Sequence, residues 1–374
     1  MRMSKHVVCG AIGLETSRRA AGFSFVLSML LFSMPGFAAK EVRYKEFPLE
    51  LSTTDASKAS RLYVIGMRGS VRLIPAAAGR SPVVRARKVL PDGARGLQSD
   101  GFDSFSYSVR RDGPVLVIEP KGAATQSDWL AGIAQGQPEL HLEIESPSVP
   151  TEIHLHSGTV QASGWKEPLT VAIKDGTIKM TEGEGSLALS VFKGEVRVEK
   201  WKGRVQIESH SAKVFAQTIE GDVEINNFSG ESTLSSIKGH STLKSRTGGS
   251  AVTKLEGGLE FLNGRGGFSA NQVQGIVRGK TDDGTVSLAL GTDGKEAQGE
   301  SDVVIESTDG SVSIKPPTGS GALLRLSTDE GTLLAPPSVN IPRGTGPKAV
   351  SARLSGTTRG TIVVRSKRGV IRIR

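Results

Sequence analysis

Between residues 176 and 284 apolar and polar positions recur every nine residues. Glycine holds twelve of the thirteen slots of that lattice, from Gly176 through Gly185 and Gly194 to Gly284, with Ala212 the exception. Four residues after each slot an apolar side chain follows, as in Met180, Leu189, Val198, Ile207 and Ile225, and only Gly279 breaks the rule. Two residues after the slot the position is mostly apolar as well (Val196, Val205, Val214, Val223), and a polar residue such as Arg197, Gln206 or Glu224 stands between. Two apolar positions flanking an outward polar one is strand alternation with a single buried face.

The period of the structure is twice that of the glycines. Seven residues after alternate slots stand Trp201, Ile219, Ile237, Leu255 and Val273, whereas the intervening register holds Phe192, His210, Phe228, Arg246, Gly264 and Asp282. The two halves are therefore not equivalent, and the pattern predicts a coil of two short strands and two turns, about 18 residues long, stacked on copies of itself as a β-solenoid. The glycines would serve the corners, where a positive φ is needed. Charges agree with that stacking: Glu184, Lys202, Glu220, Lys238 and Glu256 precede alternate glycines and would alternate in sign along one ridge.

Outside the lattice the same units recur with insertions. Ser157-Gly158-Thr159-Val160 opens the array, and Asp309-Gly310-Ser311-Val312 and Arg359-Gly360-Thr361-Ile362 extend it, so residues 151–374 are expected to form the repeat domain. Residues 39–150 lack the lattice, but Leu62–Ile65, Ser70–Ile74, Val83–Val89, Val115–Ile118 and Leu140–Ile144 read as strands, and 126–135 as one short helix. We expect irregular first coils and an amino-terminal cap there, because an uncovered end would invite edge pairing.

Composition narrows the class. The chain has 374 residues, 46 of them glycine, and only 5% aromatics, which suits a narrow stack with room chiefly for Val, Ile and Leu. Arg2, Lys5, Arg18 and Arg19 precede the apolar run 20–37, and Gly36-Phe37-Ala38 offers small residues at the cleavage positions, so residues 1–38 are expected to be a signal peptide. Sec and twin-arginine export both remain open. Cleavage would remove Cys9, the one cysteine, and leave a chain that must be stable without disulfides. No later segment reaches 18 apolar residues, so no transmembrane segment is expected in the mature chain.

The chain resembles the putative-adhesin family of secreted bacterial β-helical domains, related to the heads of autotransporter adhesins. The residues that carry the resemblance are Gly69-Ser70-Val71-Arg72-Leu73, the run from Pro150 to Val160, and repeated Gly-x-Val-x-Val units ending in Arg368-Gly369-Val370-Ile371-Arg372-Ile373-Arg374. The resemblance implies an all-β, right-handed parallel β-helix exported to the periplasm, cell surface or extracellular space. It implies no activity, and the chain departs from an autotransporter in lacking a membrane-barrel segment.

Three groups of residues could carry chemistry. Glu139, His141, Glu143 and Glu145 share one strand face and Glu152, His154 and His156 another; if the two strands stack, His141, His154, His156, Glu143 and Glu152 could converge on zinc or copper. The alternative is a solvated polar face. From Ile341 onward there are basic residues and no acids, among them Arg353, Arg359, Arg365, Lys367, Arg368, Arg372 and Arg374. These would form a patch for an anionic polymer or protect exposed terminal strands from end-to-end stacking. Nucleic acid is not an expected partner, since few aromatics interleave with the arginines. Asp282, Asp283, Asp309 and Asp329 stand beside glycines as turn residues do. No catalytic set and no cofactor follow. The expected function is a non-enzymatic adhesion or cell-envelope scaffold module for a carbohydrate, envelope polymer or surface protein; the alternative is a polysaccharide-acting lyase or hydrolase on the same fold.

Overall fold

The alternating pattern does produce strands throughout. The computed structural model describes residues 44–48, 59–77, 79–89, 106–121, 139–291, 302–344, 346–357 and 359–374, and these contain twenty-five strands in one hydrogen-bonded network and no helix. The expected signal peptide and the expected helix at 126–135 lie outside the described residues. Among the described residues no helix is long and apolar enough to cross a membrane.

The first six strands are β1 (Tyr44–Pro48), β2 (Arg61–Pro75), β3 (Val83–Val89), β4 (Ser106–Asp112), β5 (Val115–Lys121) and β6 (Glu139–Ser146). Four long strands follow: β7 (Thr151–Ser163), β8 (Leu169–Thr181), β9 (Leu187–Lys202) and β10 (Val205–Glu220). They pair in parallel with a register step of 18 residues, Leu169 beside Leu187 and Leu187 beside Val205. From there each long strand is replaced by two short ones: β11 (Val223–Asn227) and β12 (Ser232–Lys238), β13 (Ser241–Ser245) and β14 (Ser250–Glu256), β15 (Leu259–Asn263) and β16 (Phe268–Gln274), β17 (Val277–Thr281) and β18 (Val286–Leu290). The step of 18 persists through both halves, as in Val223↔Ser241 and Ser232↔Ser250.

Strands break in two where the residue before the corner is a buried polar group bonded to the turn; β10, where the Ser209 hydroxyl makes no such bond, runs on unbroken. In β7 to β9 that position is Leu155, Ile173 or Val191, and the chain runs on through a corner before the glycine with no change of register. In the short-strand region it is Asn227, Ser245, Asn263, Thr281 or Ser307, buried side chains that each bond the backbone three residues on. A buried polar group must be bonded, and here the bond closes a tight turn. The expectation that glycines serve positive-φ corners holds for one set and not for another. Gly194 has φ 138° and Gly203 φ 121°. Gly248 needs no such φ; a Cβ there would overlap the carbonyl of Gly230, one repeat earlier. Six non-glycine residues also adopt the left-handed conformation, Glu182, Lys200, Thr218, Ser236, Lys254 and Gln272, again 18 apart.

The core lies between the two strand columns and is fully dry at Val196, Val214, Ile207, Ile225 and the column Trp201–Ile219–Ile237–Leu255. Size is balanced between neighbours. Gly183 leaves room for the Trp201 ring, whose Nε1 donates to Gly185 O at 2.9 Å. Gly279, the exception in the sequence pattern, leaves room for Phe261, which stacks on Phe268 at 3.9 Å between centroids. On the ridge, Glu220 stands in register with Lys238 and Lys238 with Glu256, and Lys202 approaches Glu220 to 3.8 Å.

The remaining strands are β19 (Val303–Ser307), β20 (Val312–Lys315), β21 (Leu323–Thr328), β22 (Thr332–Leu334), β23 (Lys348–Arg353), β24 (Thr361–Ser366) and β25 (Val370–Ile373). Their order in space is not their order in sequence. β24 lies between β19 and β21, with Val303↔Ile362 on one edge and Leu324↔Ile362 on the other, and β25 lies in the same way between β20 and β22. β23 closes β21 as an antiparallel strand. At the other end β2 pairs with β7 over most of its length, and its second edge carries β5 and then β6, which are followed by antiparallel β4, β3 and β1.

Candidate functional site

The repeat places every eighteenth side chain beside the last, at the strand spacing of about 4.8 Å. Where the column faces solvent at the corner of the long strands, the sequence supplies His156, Lys174, Phe192 and His210, and the turns that follow supply Phe228 and Arg246. Phe192 and His210 stack with centroids 4.7 Å apart and planes within 1°; His210 and Phe228 stack at 4.9 Å and 10°. The guanidinium of Arg246 lies 5.3 Å from the Phe228 centroid. Phe192 is 54% exposed and Phe228 41%. Because the ring faces cover one another, the ladder presents ring edges outward, an apolar stripe held in line by contacts of about 0.5 to 1.5 kcal/mol per aromatic pair.

Beside this stripe runs a concave track. Its floor is the outward register of the adjoining strands, His154, Ala172, Ser190, Glu208, Asn226 and Lys244. It consists of two shallow, open depressions of about 830 Å³ and about 500 Å³, which share Asn226 and Phe228 and continue to Lys280 and Asp282. Small residues, Ala172 and Ser190, make the depression opposite Phe192. The hydroxyl of Ser209 is buried in its wall with no partner among the described residues. Burial holds the His156 pKa below its ordinary value, and the neighbouring Lys174 adds to that effect. The signal was visible in sequence, since the aromatic column is the register that distinguishes the two halves of the repeat, but periodicity alone does not say which column faces a groove.

The histidine and carboxylate arrays do not converge. β6 and β7 are not neighbours, because β2 lies between them: His141 stands beside Ser70 and His154 beside Ile65, five residues away along β2 and on the order of 15 Å distant. Each group already has a local partner. His141 Nδ1 bonds Ser70 Oγ at 2.7 Å, Glu143 holds Arg85 at 2.9 Å, and Glu152 holds His154 at 2.6 Å. Among the described residues no group of three or more His, Cys, Asp or Glu could hold a metal ion.

Among the described residues β23, with Lys348 and Arg353, is paired on one edge alone, but the later strands of the basic segment are not free edges. Arg365, Lys367, Arg368 and Arg372 belong to β24, β25 and the turn between them, whose strands are bonded on both edges, so these charges do not guard terminal strands. Arg368 makes a two-pronged bond to Asp309 at 2.5 and 2.6 Å, and Arg365 lies 3.9 Å from Glu306. Arg353 sits in antiparallel β23, Arg359 precedes β24, and the Arg374 amide closes on Ile314. Asp283 lies 3.8 Å from Arg265, so Asp283 and Asp309 serve turns and ion pairs.

No protein-family model and no curated protein matches the chain. Solved structures do. A putative cell adhesion protein from Clostridium sporogenes is 11% identical, with 89% of this chain and 99% of that one covered and a TM-score of 0.20. A putative lipid binding protein from Parabacteroides distasonis is 10% identical over 88% and 97% at a TM-score of 0.29. A putative adhesin from Parabacteroides merdae is 10% identical over 89% and 97% at 0.27.

Proposed function

We propose that this protein is an exported, non-enzymatic adhesion or cell-envelope scaffold module. In this reading the parallel ladders are turns of a right-handed β-helix of about 18 residues, residues 151–374 form the repeat body, 39–150 supply irregular first coils and a cap, and 1–38 direct export. Support for the coil is the 18-residue register step kept from β7 to β17. The observation that carries the function is the lateral track. Its side chains stand on strands bonded at both edges, so a long surface is presented in one rigid geometry, which lowers the ordering cost of binding an extended partner.

An enzyme would need an acid, a base or a nucleophile converging on one point. Ionisable groups here are instead spread along ladders, several of them in pairs, as in Arg197 with Glu195 at 2.9 Å and Lys200 with Glu182 at 2.8 Å. Incubating the full chain with isolated envelope polymer tests the reading. Retention of the protein on the polymer without release of soluble sugar is the expected result; release of new reducing or unsaturated ends would overturn it. Protease treatment of intact cells then separates periplasmic from surface exposure.

A further inference from the structure

The lateral track has a chemical bias of its own. Along its two sections stand four basic side chains, Lys174, Lys244, Arg246 and Lys280, against two acidic ones, Glu208 and Asp282. Of the cations, Lys244 is 3.9 Å from Glu224, and Arg246 lies over the Phe228 ring. A site that combines ring edges, whose rim is weakly positive, with hydrogen-bonding floor residues and surplus positive charge suits a ligand with hydroxyl oxygens and anions along one line.

We propose that the track binds an extended acidic polysaccharide running parallel to the stacking direction, with its hydroxyl oxygens against the ring edges of Phe192, His210 and Phe228 and its carboxylates towards Lys174 and Arg246. This rests on the reading of the protein as a binding module. Two observations favour this occupant. The track repeats every strand spacing, about 4.8 Å, which is close to the length of one pyranose residue and longer than the rise of about 3.3 Å per residue of an extended peptide. And a peptide that binds by strand addition needs an open sheet edge, whereas β8, β9, β10, β11 and β13 are bonded on both sides.

The probe is a ten-residue oligogalacturonide, titrated calorimetrically into the full chain, with a neutral dextran oligomer of equal length and vesicles of anionic phospholipid as comparisons. The acidic oligomer is expected to bind at least about 10-fold more tightly than the neutral one and to weaken as salt is raised. Lys174→Gln and Arg246→Gln are each expected to weaken it about 3- to 10-fold, and Phe192→Ala with Phe228→Ala by at least as much. All four side chains are exposed, and unchanged thermal melting of each variant shows that the fold is intact. Lys179→Gln with Lys213→Gln, exposed and outside the track, should leave binding unchanged. Absence of oligogalacturonide binding, indifference to the Lys174 and Arg246 changes, or binding to the vesicles alone overturns the proposal. Equal affinity for the neutral oligomer also overturns it while leaving the adhesion reading in place, whereas cleavage of either oligomer defeats the adhesion reading itself.

Discussion

Deleting residues 361–374 should unfold strands that precede them in sequence. β24 and β25 bury Ile362, Val364, Ile371 and Ile373, each no more than 4% exposed, between β19/β20 and β21/β22. At about 1.5 to 3 kcal/mol per fully buried aliphatic side chain, the gross loss is about 6 to 12 kcal/mol, an upper bound because a denatured chain keeps some burial. That is the size of the whole net stability of an ordinary domain, about 5 to 15 kcal/mol. The loss is local, since in a stacked fold each unit is held chiefly by its neighbours. Hydrogen exchange measured by mass spectrometry on the full and shortened chains should therefore show protection lost over 323–334 and 348–353, faster exchange at the newly bared edges of β19 and β20, and no change in β8 to β10. Val364→Asp should give a milder version of the same map. If 323–334 stays protected in the shortened chain, β21 and β22 can dock on β19 and β20 directly, and β24 and β25 are not what holds them in place.

Gly279→Ala drives a Cβ into the Phe261 ring and should cost about 1 to 3 kcal/mol; Phe261→Leu should relieve it, so that denaturant midpoints of the two single variants and the double variant reveal coupling well above the roughly 0.5 kcal/mol expected of independent sites. Ile219→Asp places an unpaired charge between Trp201 and Ile237 and should destabilise by several kcal/mol, while Lys238→Glu, exposed between Glu220 and Glu256, should lower the melting temperature only slightly; equal effects would mean that the two columns have been exchanged. His141 is held below its ordinary pKa of 6.5 chiefly by burial, opposed by Glu139 and reinforced by Arg87. The folded state then binds fewer protons than the unfolded one, so the contribution of this group is complete above pH 6.5 and declines as pH falls through that value. Melting temperatures across pH 5 to 7.5 should fall less steeply in His141→Gln than in the parent, and parallel curves would remove His141 from the account.

Much of the fold was legible because a repeat states its own neighbours. Once Val205 and Val223 are seen to be equivalent, alternation says that both point inward and stacking says that they touch, and the register pairs agree. The same logic placed Trp201, Ile219 and Ile237 in one column. It also made Phe192, His210 and Phe228 a column, but a period cannot tell a solvent ridge from the wall of a groove, because that depends on how far the flanking strands project. Whether the histidines and glutamates of β6 and β7 meet was open for a different reason: adjacency in sequence does not fix adjacency in space, and β2, from far earlier in the chain, took the place between them.

Local chemistry by itself determined the strands, the 18-residue step and the inward face, since alternation and tight turns are written within each repeat. Only the tertiary structure decided the order of the final strands. Gly310-Ser311-Val312 and Gly360-Thr361-Ile362 have the same form, and a parallel strand edge accepts either, so nothing local says that β24 precedes β21 in the stack. That choice rests on contacts between segments more than fifty residues apart, among them Arg368 with Asp309 and Ile362 with Val303, which exist only once the chain has closed on itself.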